Sequence, residues 1–282
     1  MKIKHLLCFI ALCLFFTPGK AQQLSVMTLR NGATVYIWED KSKPDVFGMI
    51  AFKVGSVDDP EQYTGLAHYL EHVMFKGTQT IDALDWEKEK PIYEKIIAKY
   101  DERAALSDPA AREAIDKEIN DLTREAAQYA AGNEFSLLVD HMGGQGLNAS
   151  TGYDQTEYHN SFPPSQLEKW LEIYSERLID PVFRGFQTEL EAVYEEYNMY
   201  NDDRGSRMRE FIYEQAFGDH PYARPIIGLP EHLKNPQLSK LIDFYNTWYG
   251  PQNMSIILVG NIDAKEAIPM IRDKFERVPR RA

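Results

Sequence analysis

The segment His68-Tyr69-Leu70-Glu71-His72 constrains the fold more than any other part of this 282-residue chain. Residues four apart share one face of an α-helix, so His68 and His72 project side by side only if the segment is helical. Two imidazoles at that spacing can bind one zinc ion, and Glu71 lies on the same side. A carboxylate held there without binding the metal can take a proton from an attacking water. The order H-x-x-E-H therefore predicts the helix of a metallopeptidase.

The residues that flank this motif favour a helix. Thr64 is a residue type that caps helix N-termini, so we expect the helix to begin there. Leu66, Leu70 and Val73 supply apolar side chains at helical spacing. Gly77 is expected to stop the segment in the left-handed conformation. The alternative interpretation is a pair of solvated histidines on a surface helix, but a chain with seven histidines rarely shows the full pattern by chance.

A catalytic zinc site usually has a third protein ligand and leaves one position for water. The best downstream candidates are four glutamates in residues 188–197. Glu189 and Glu196 are seven apart and share a helix face, so one can bind the metal while the other supports it. Spacing alone leaves Glu191 and Glu195 open as ligands, and it also allows an acidic helix that is merely solvated.

Several segments of this chain resemble the pitrilysin, insulysin and mitochondrial processing peptidase family, whose zinc peptidases carry H-x-x-E-H. The resemblance covers nearly the whole chain after residue 21. The matching segments are G-S-V-D-D-P-E at 55–61, the motif region at 64–78, L-N-A-S-T with D-Q-T-E-Y in 147–158, V-Y-E-E at 193–196 and Y-G-P-Q-N-M at 249–254.

The resemblance implies a role for each matched position. His68, His72 and Glu196 would bind one zinc ion per chain. Glu71 would be the general base, and Glu189 would assist the site without binding metal. The choice of Glu196 over its neighbours depends on this resemblance and on the face shared with Glu189.

The resemblance also implies how substrate binds. Asn148, Ala149 and Ser150 would lie on the edge strand that receives an extended peptide. The family works as two homologous domains, and the second domain contributes to substrate binding. We find no second copy of the pattern here, so we expect a second homologous domain or a partner subunit.

Alternating and periodic segments predict an α+β fold. Apolar residues alternate on both sides of Asn31-Gly32, which predicts a two-residue hairpin turn within residues 25–38. Residues 47–54 and 254–259 read as buried strands. Hairpins dominate among the strands, so we expect an antiparallel or mixed sheet with helices packed on one face, as in the domains of processing peptidases.

An insertion is expected between the motif and the third ligand. The distance from His72 to Glu196 is longer than is usual in the family. Residues 85–132 are rich in Ala, Glu, Lys and Ile and are interrupted once, at Ser107-Asp108-Pro109. This pattern predicts a helical hairpin.

The first 21 residues have the features of a signal peptide. Lys2 and Lys4 precede an apolar stretch at 6–16, and small residues follow, so we expect cleavage after Ala21. The remainder, residues 22–282, is expected to form one zinc-binding peptidase domain. We therefore expect an exported protein, in the periplasm by the habits of the family.

Charge and cysteine content restrict the classes of partner and chemistry. Without the three lysines of the first 21 residues the net charge changes from −12 to about −15, which disfavours nucleic acids and anionic membranes as partners. We expect no membrane anchor. Both cysteines, Cys8 and Cys13, lie in the leader, so thiol catalysis and thiolate zinc sites are not expected in the remainder.

The sequence thus favours a zinc-dependent endopeptidase that acts on peptides or small unfolded proteins. One alternative is a binding or assembly subunit that has the fold of a peptidase but does not cleave, or the inactive half of a two-domain enzyme. Another is a domain that uses metal only for stability, although structural zinc sites usually have four protein ligands and are rich in cysteine.

Overall fold

Residues 23–281 are described by a computed structural model. The predicted signal peptide, residues 1–21, lies outside the described residues. The strands are β1 (Gln23–Thr28), β2 (Thr34–Glu39), β3 (Val46–Phe52), β4 (Gln145–Thr151), β5 (Thr156–Phe162) and β6 (Met254–Gly260). The helices are α1 (Leu66–Val73), α2 (Trp86–Ala105), α3 (Pro109–Ala126), α4 (Glu134–His141), α5 (Leu167–Glu176), α6 (Phe186–Asp202), α7 (Arg204–Phe217), α8 (Pro230–Leu233), α9 (Leu238–Trp248) and α10 (Ala264–Phe275). In residues 23–281 no helix is both long and apolar enough to cross a membrane.

The strands form one six-stranded sheet in the order β1-β2-β6-β3-β5-β4. β2 and β6 run parallel, and the other neighbouring strands run antiparallel. Every second residue of β3, β5 and β6 is buried, which is the pattern of a sheet with helices on one face. The predicted α+β fold is confirmed. β4 lies at one edge of the sheet, and α1 packs against β4 and β5.

The turn between β1 and β2 differs from the prediction. The prediction of a two-residue turn at Asn31-Gly32 is wrong. The Leu29 amide donates to the Ala33 carbonyl at 2.8 Å, so the loop contains three residues. Gly32 has the left-handed φ of +105° that such a loop requires. The buried Asn31 side chain donates to the carbonyl of Phe275 at 2.7 Å, so it joins the loop to the end of α10.

The predicted helical hairpin is present as α2 and α3. Asp108 caps the start of α3 by accepting a hydrogen bond from the Ala111 amide at 3.0 Å. The two helices pack against each other, and each has one stripe of buried apolar side chains. The buried side chains of these stripes are Ile92, Ile96, Tyr100, Ile115 and Ile119.

Candidate metal centre

Helix α1 is held at its start by a residue outside the helix. It begins after Gly65, which has a left-handed φ of +89°. The buried Asp59 carboxylate accepts hydrogen bonds from the Gly65 amide at 2.7 Å and from the Ala67 amide at 2.8 Å. These amides belong to the helix end that otherwise lacks partners. The predicted cap at Thr64 is wrong, because its hydroxyl is hydrogen-bonded to Nδ1 of His232 at 2.8 Å.

We expect Asp59→Ala to lower the free energy of unfolding by about 1–3 kcal/mol, because two buried amides would lose their acceptor. Asp59→Asn keeps one acceptor oxygen and should lose less. Urea unfolding followed by circular dichroism, with a chelator present, measures the difference without a contribution from bound metal. Equal stability of the wild type and the alanine variant would contradict this account of the helix start.

Two histidines and one glutamate converge beside α1. Nε2 of His68 lies 3.6 Å from Oε2 of Glu196, and Nε2 of His72 lies 3.5 Å from the same oxygen. One potential ligand atom from each residue lies within 4.8 Å of the other two. The histidines come from α1 and the glutamate from α6, so the packing of these two helices builds the group.

The geometry separates the glutamates that spacing alone left open. Glu196 is partly buried and belongs to the three-residue group. Glu191 and Glu195 are exposed, and neither belongs to it. Adjacent helix residues point about 100° apart, so Glu195 cannot share the direction of Glu196. The geometry therefore favours Glu196 as the third ligand.

Glu189 supports the second histidine. Its Oε2 lies 3.5 Å from Nδ1 of His72, and its other oxygen contacts the Lys76 ammonium group. Burial acts to raise the pKa of Glu189, but the hydrogen bonds from His72 and Lys76 outweigh it and lower this pKa. An ionised carboxylate at Nδ1 favours the tautomer in which Nε2 is free to bind a metal. Glu189 lies outside the three-residue group, and its assisting role stays a prediction.

The donor set fits zinc. Burial lowers the pKa of His68 to about 3, helped by the charge of His72, so the His68 ring is neutral at physiological pH and can bind metal. Among the described residues, the basic groups within 4.0 Å of the Glu196 carboxylate are these two histidines. Two ligand atoms about 2.1 Å from a tetrahedral metal lie about 3.4 Å apart. The observed separations from Oε2 of Glu196 are close to that value.

Glu71 lies between the two histidines in sequence and outside their ligand group. Its Oε2 accepts a hydrogen bond from the Thr151 hydroxyl at 2.6 Å. Burial raises the pKa of Glu71, although the bond from Thr151 opposes this shift. A carboxylate with a raised pKa accepts protons more readily than an exposed glutamate does, as a general base requires.

One open cleft of about 640 Å³ is lined by His68, Glu71, His72 and Glu196. One wall is β4, which contributes Asn148, Ala149 and Ser150, the residues predicted to receive substrate. Within the described sheet β4 pairs with β5 alone, so the backbone groups of its other side are available for hydrogen bonds. The cleft thus combines a metal-ligand group, a buried carboxylate and a strand edge.

Sequence reasoning missed the part of the cleft that α6 and α7 line. Tyr200 of α6 lines the cleft one helical turn after Glu196, and Arg209 and Tyr213 of α7 line it four residues apart. Tyr213 stacks on Tyr153, with ring centroids 5.4 Å apart. The i, i+4 spacing of these side chains was a usable signal, but only once the position of α7 was known.

Two histidines of an H-x-x-E-H helix with a glutamate of a second helix beside them form the pattern that is typical of zinc metallopeptidases. The sequence profile of the family described as Insulinase (Peptidase family M16) matches residues 34–90 and 122–229. A second profile, described as Peptidase M16 inactive domain, matches residues 237–282. The chain belongs to the insulinase family, peptidase family M16. The unmatched residues between the first two ranges fall within the α2–α3 hairpin.

Named relatives are zinc proteases. Probable zinc protease PqqL of Escherichia coli is 25% identical over 270 residues, which covers 92% of this chain and 23% of that protein. A protease structure from Helicobacter pylori has a TM-score of 0.71 at 22% identity and covers 93% of this chain and 52% of that chain. A structure of the first half of the periplasmic protease PqqL from Escherichia coli has a TM-score of 0.68 at 25% identity and covers 92% and 47%. This chain spans 23% of the length of PqqL and at most about half the length of other curated relatives, such as 48% of a zinc protease from Rickettsia bellii.

Proposed function

We propose that this chain is the zinc-binding domain of an endopeptidase, with zinc held by His68, His72 and Glu196. The observation that carries the proposal is the convergence of their ligand atoms within 4.8 Å, beside a buried carboxylate and a free strand edge. When bound, zinc supplies Lewis acidity, which polarises the scissile carbonyl and makes water easier to deprotonate. Glu71 takes the proton of the attacking water and later gives it to the leaving amine.

The substrate is proposed to be an extended peptide or a small unfolded protein. It adds a strand to the free edge of β4 near Asn148, Ala149 and Ser150. Backbone hydrogen bonds along such an edge give affinity with little demand on sequence. Side chains of α6 and α7 line the same cleft as this strand, so they contribute to the choice of substrate residues.

The proposal includes export of the chain and a second domain or partner subunit. The composition of residues 1–21 supports export, and a relative whose structure is known is described as periplasmic. Because the chain covers about half or less of its relatives, a second homologous domain or a partner subunit is proposed to complete the cleft. The same coverage favours a second candidate, a subunit that binds peptides without cleaving them.

Cleavage of a quenched fluorescent peptide library tests the proposal and separates the two candidates. The purified chain is assayed with zinc and with a chelator, and metal content is measured on the same samples. We expect one zinc per chain and cleavage that the chelator abolishes. One bound zinc without cleavage would favour the peptide-binding subunit, and a protein that binds no zinc would contradict both the metal site and the peptidase.

A further inference from the structure

A single side chain of the described residues hydrogen-bonds the Glu71 carboxylate. The Thr151 hydroxyl donates to Oε2 of Glu71 at 2.6 Å, and no other hydrogen bond or ion pair to this carboxylate is found within residues 23–281. We propose that Thr151 is a positioning residue for Glu71, which holds the carboxylate in the orientation that proton transfer needs. This inference rests on the proposed function, because the orientation matters only if Glu71 moves protons.

The position of Thr151 is fixed by its neighbours. Thr151 ends β4 and pairs with Thr156 of β5. The turn that follows bonds to the segment after β3: the Ser56 amide donates to the carbonyl of Gly152 at 3.1 Å, and the Val57 amide donates to that of Tyr153, also at 3.1 Å. These bonds hold the end of β4 beside residues 56–57.

Gly55 permits this close approach. A Cβ atom at residue 55 would lie 2.4 Å from the Tyr153 carbonyl oxygen and 2.5 Å from that of Gly152. Real Cβ atoms do not come so close to backbone atoms, so a side chain there would displace the turn. The requirement for glycine at the start of G-S-V-D-D-P thus follows from the turn that carries Thr151.

The same segment also fixes Glu71. Asp59, four residues after Gly55, holds the first amides of α1, the helix that carries Glu71. We call residues 55–59 the brace, because one short segment bonds both the turn after β4 and the start of α1. The turn next to Thr151 and the helix that carries Glu71 are therefore both bonded to the brace, which restricts how far the two residues can move apart.

The hydrogen bond from Thr151 restricts the Glu71 carboxylate and engages one of its two oxygens. With Oε2 occupied by the Thr151 hydroxyl, Oε1 of Glu71 remains free to accept a proton. Restricting rotation of the carboxylate keeps that oxygen in a reactive orientation, and such orientation accounts for a large part of catalytic rate. Since Thr151 belongs to the strand proposed to bind the peptide, the base is also held in register with the substrate.

Isosteric substitutions test the proposal. Thr151→Val removes the hydroxyl and retains the shape of a β-branched side chain. We expect kcat to fall about 10- to 100-fold, the usual effect of losing one orienting contact at a metal site, with KM and zinc content unchanged. Thr151→Ser restores the hydroxyl and should recover most of kcat.

Thr156→Val is the matched control. Thr156 is the paired residue at the end of the same hairpin, and its buried hydroxyl donates to the Val54 carbonyl at 3.0 Å. Its replacement should lower stability and leave kcat unchanged. An equal fall in kcat for both valine variants would mean that hairpin stability is responsible, and it would overturn the proposal. A rise in KM at constant kcat for Thr151→Val would overturn it too, because Thr151 would then bind substrate.

A second readout does not need turnover. A peptide hydroxamate would bind to the zinc-loaded site and give a proton to a neighbouring base. Its affinity for the zinc-loaded chain therefore reports whether Glu71 is oriented to accept that proton. We expect affinity to fall about tenfold in Thr151→Val and to stay at the wild-type value in Thr156→Val. Unchanged affinity in Thr151→Val, alongside weaker binding by Glu71→Gln, overturns the positioning role alone. Unchanged affinity and activity in Glu71→Gln overturns the proposed function.

Discussion

Replacement of Glu71 by glutamine is expected to reduce peptide hydrolysis by about 10²- to 10⁴-fold, the usual contribution of a positioned general base. Glutamine has the same shape and keeps an oxygen that can accept the hydrogen bond from Thr151. It cannot take a proton from water near neutral pH. Because Glu71 lies outside the group formed by His68, His72 and Glu196, zinc should still bind at one ion per chain.

Glu195→Gln is the control for this prediction. It also removes one carboxylate, but from an exposed residue of α6 outside the ligand group. Hydrolysis of a fluorescent peptide under identical zinc concentrations should distinguish the two variants, with metal content measured on each. If Glu71→Gln binds zinc and cleaves as fast as the wild type, the assignment of the base is wrong.

Much of the site could be predicted because it depends on helix periodicity. In H-x-x-E-H the spacing of the two histidines determines the direction of their side chains. His68 and His72 therefore face the same side once α1 forms. The same rule put Glu189 and Glu196 on one face of α6, and the structure brings both to His72. The strongly apolar segment 254–259 was also predicted closely, since it forms most of β6.

Contacts between distant parts of the chain could not be predicted in the same way. Thr64 has the right chemistry for a helix cap, yet its hydroxyl pairs with His232, 168 residues away. Asn31 suits a tight turn, yet its side chain bonds to Phe275. Each side chain can satisfy either a local or a distant partner, and residue type carries no information about which partner the fold brings near.

The hydrogen-bond partner of the Glu71 carboxylate was missed for this reason. The hydroxyl of Thr151 meets Glu71 across 80 residues, through a strand, a turn and a helix whose relative positions depend on the whole sheet. The segment 55–61 was part of the resemblance, but its chemistry was unexplained. Its function as a brace became visible only when the turn after β4 and the start of α1 were seen to bond to it.

Substitution of Glu196 by glutamine is expected to weaken zinc binding by more than about 100-fold. Loss of a residue that only supports a ligand costs up to about 100-fold, and loss of the ligand itself should cost more. The variant keeps both imidazole ligands but loses the anionic ligand that offsets the charge of the ion. Glu189→Gln removes only the support of His72, so its affinity should fall by about 10- to 100-fold.

Competition with a chromophoric chelator measures these affinities, and thermal melting with and without zinc provides an independent check. A metal that binds only the folded state raises the melting temperature, so zinc should stabilise the wild type and have little effect on Glu196→Gln. Glu195→Gln should behave as the wild type, since its carboxylate is exposed and directed about 100° away along α6. The reverse result, with zinc affinity lost in Glu195→Gln and kept in Glu196→Gln, would mean that α6 is rotated by one residue relative to α1. The face shared by Glu189 and Glu196 could not then support His72, and the entire ligand assignment would fail.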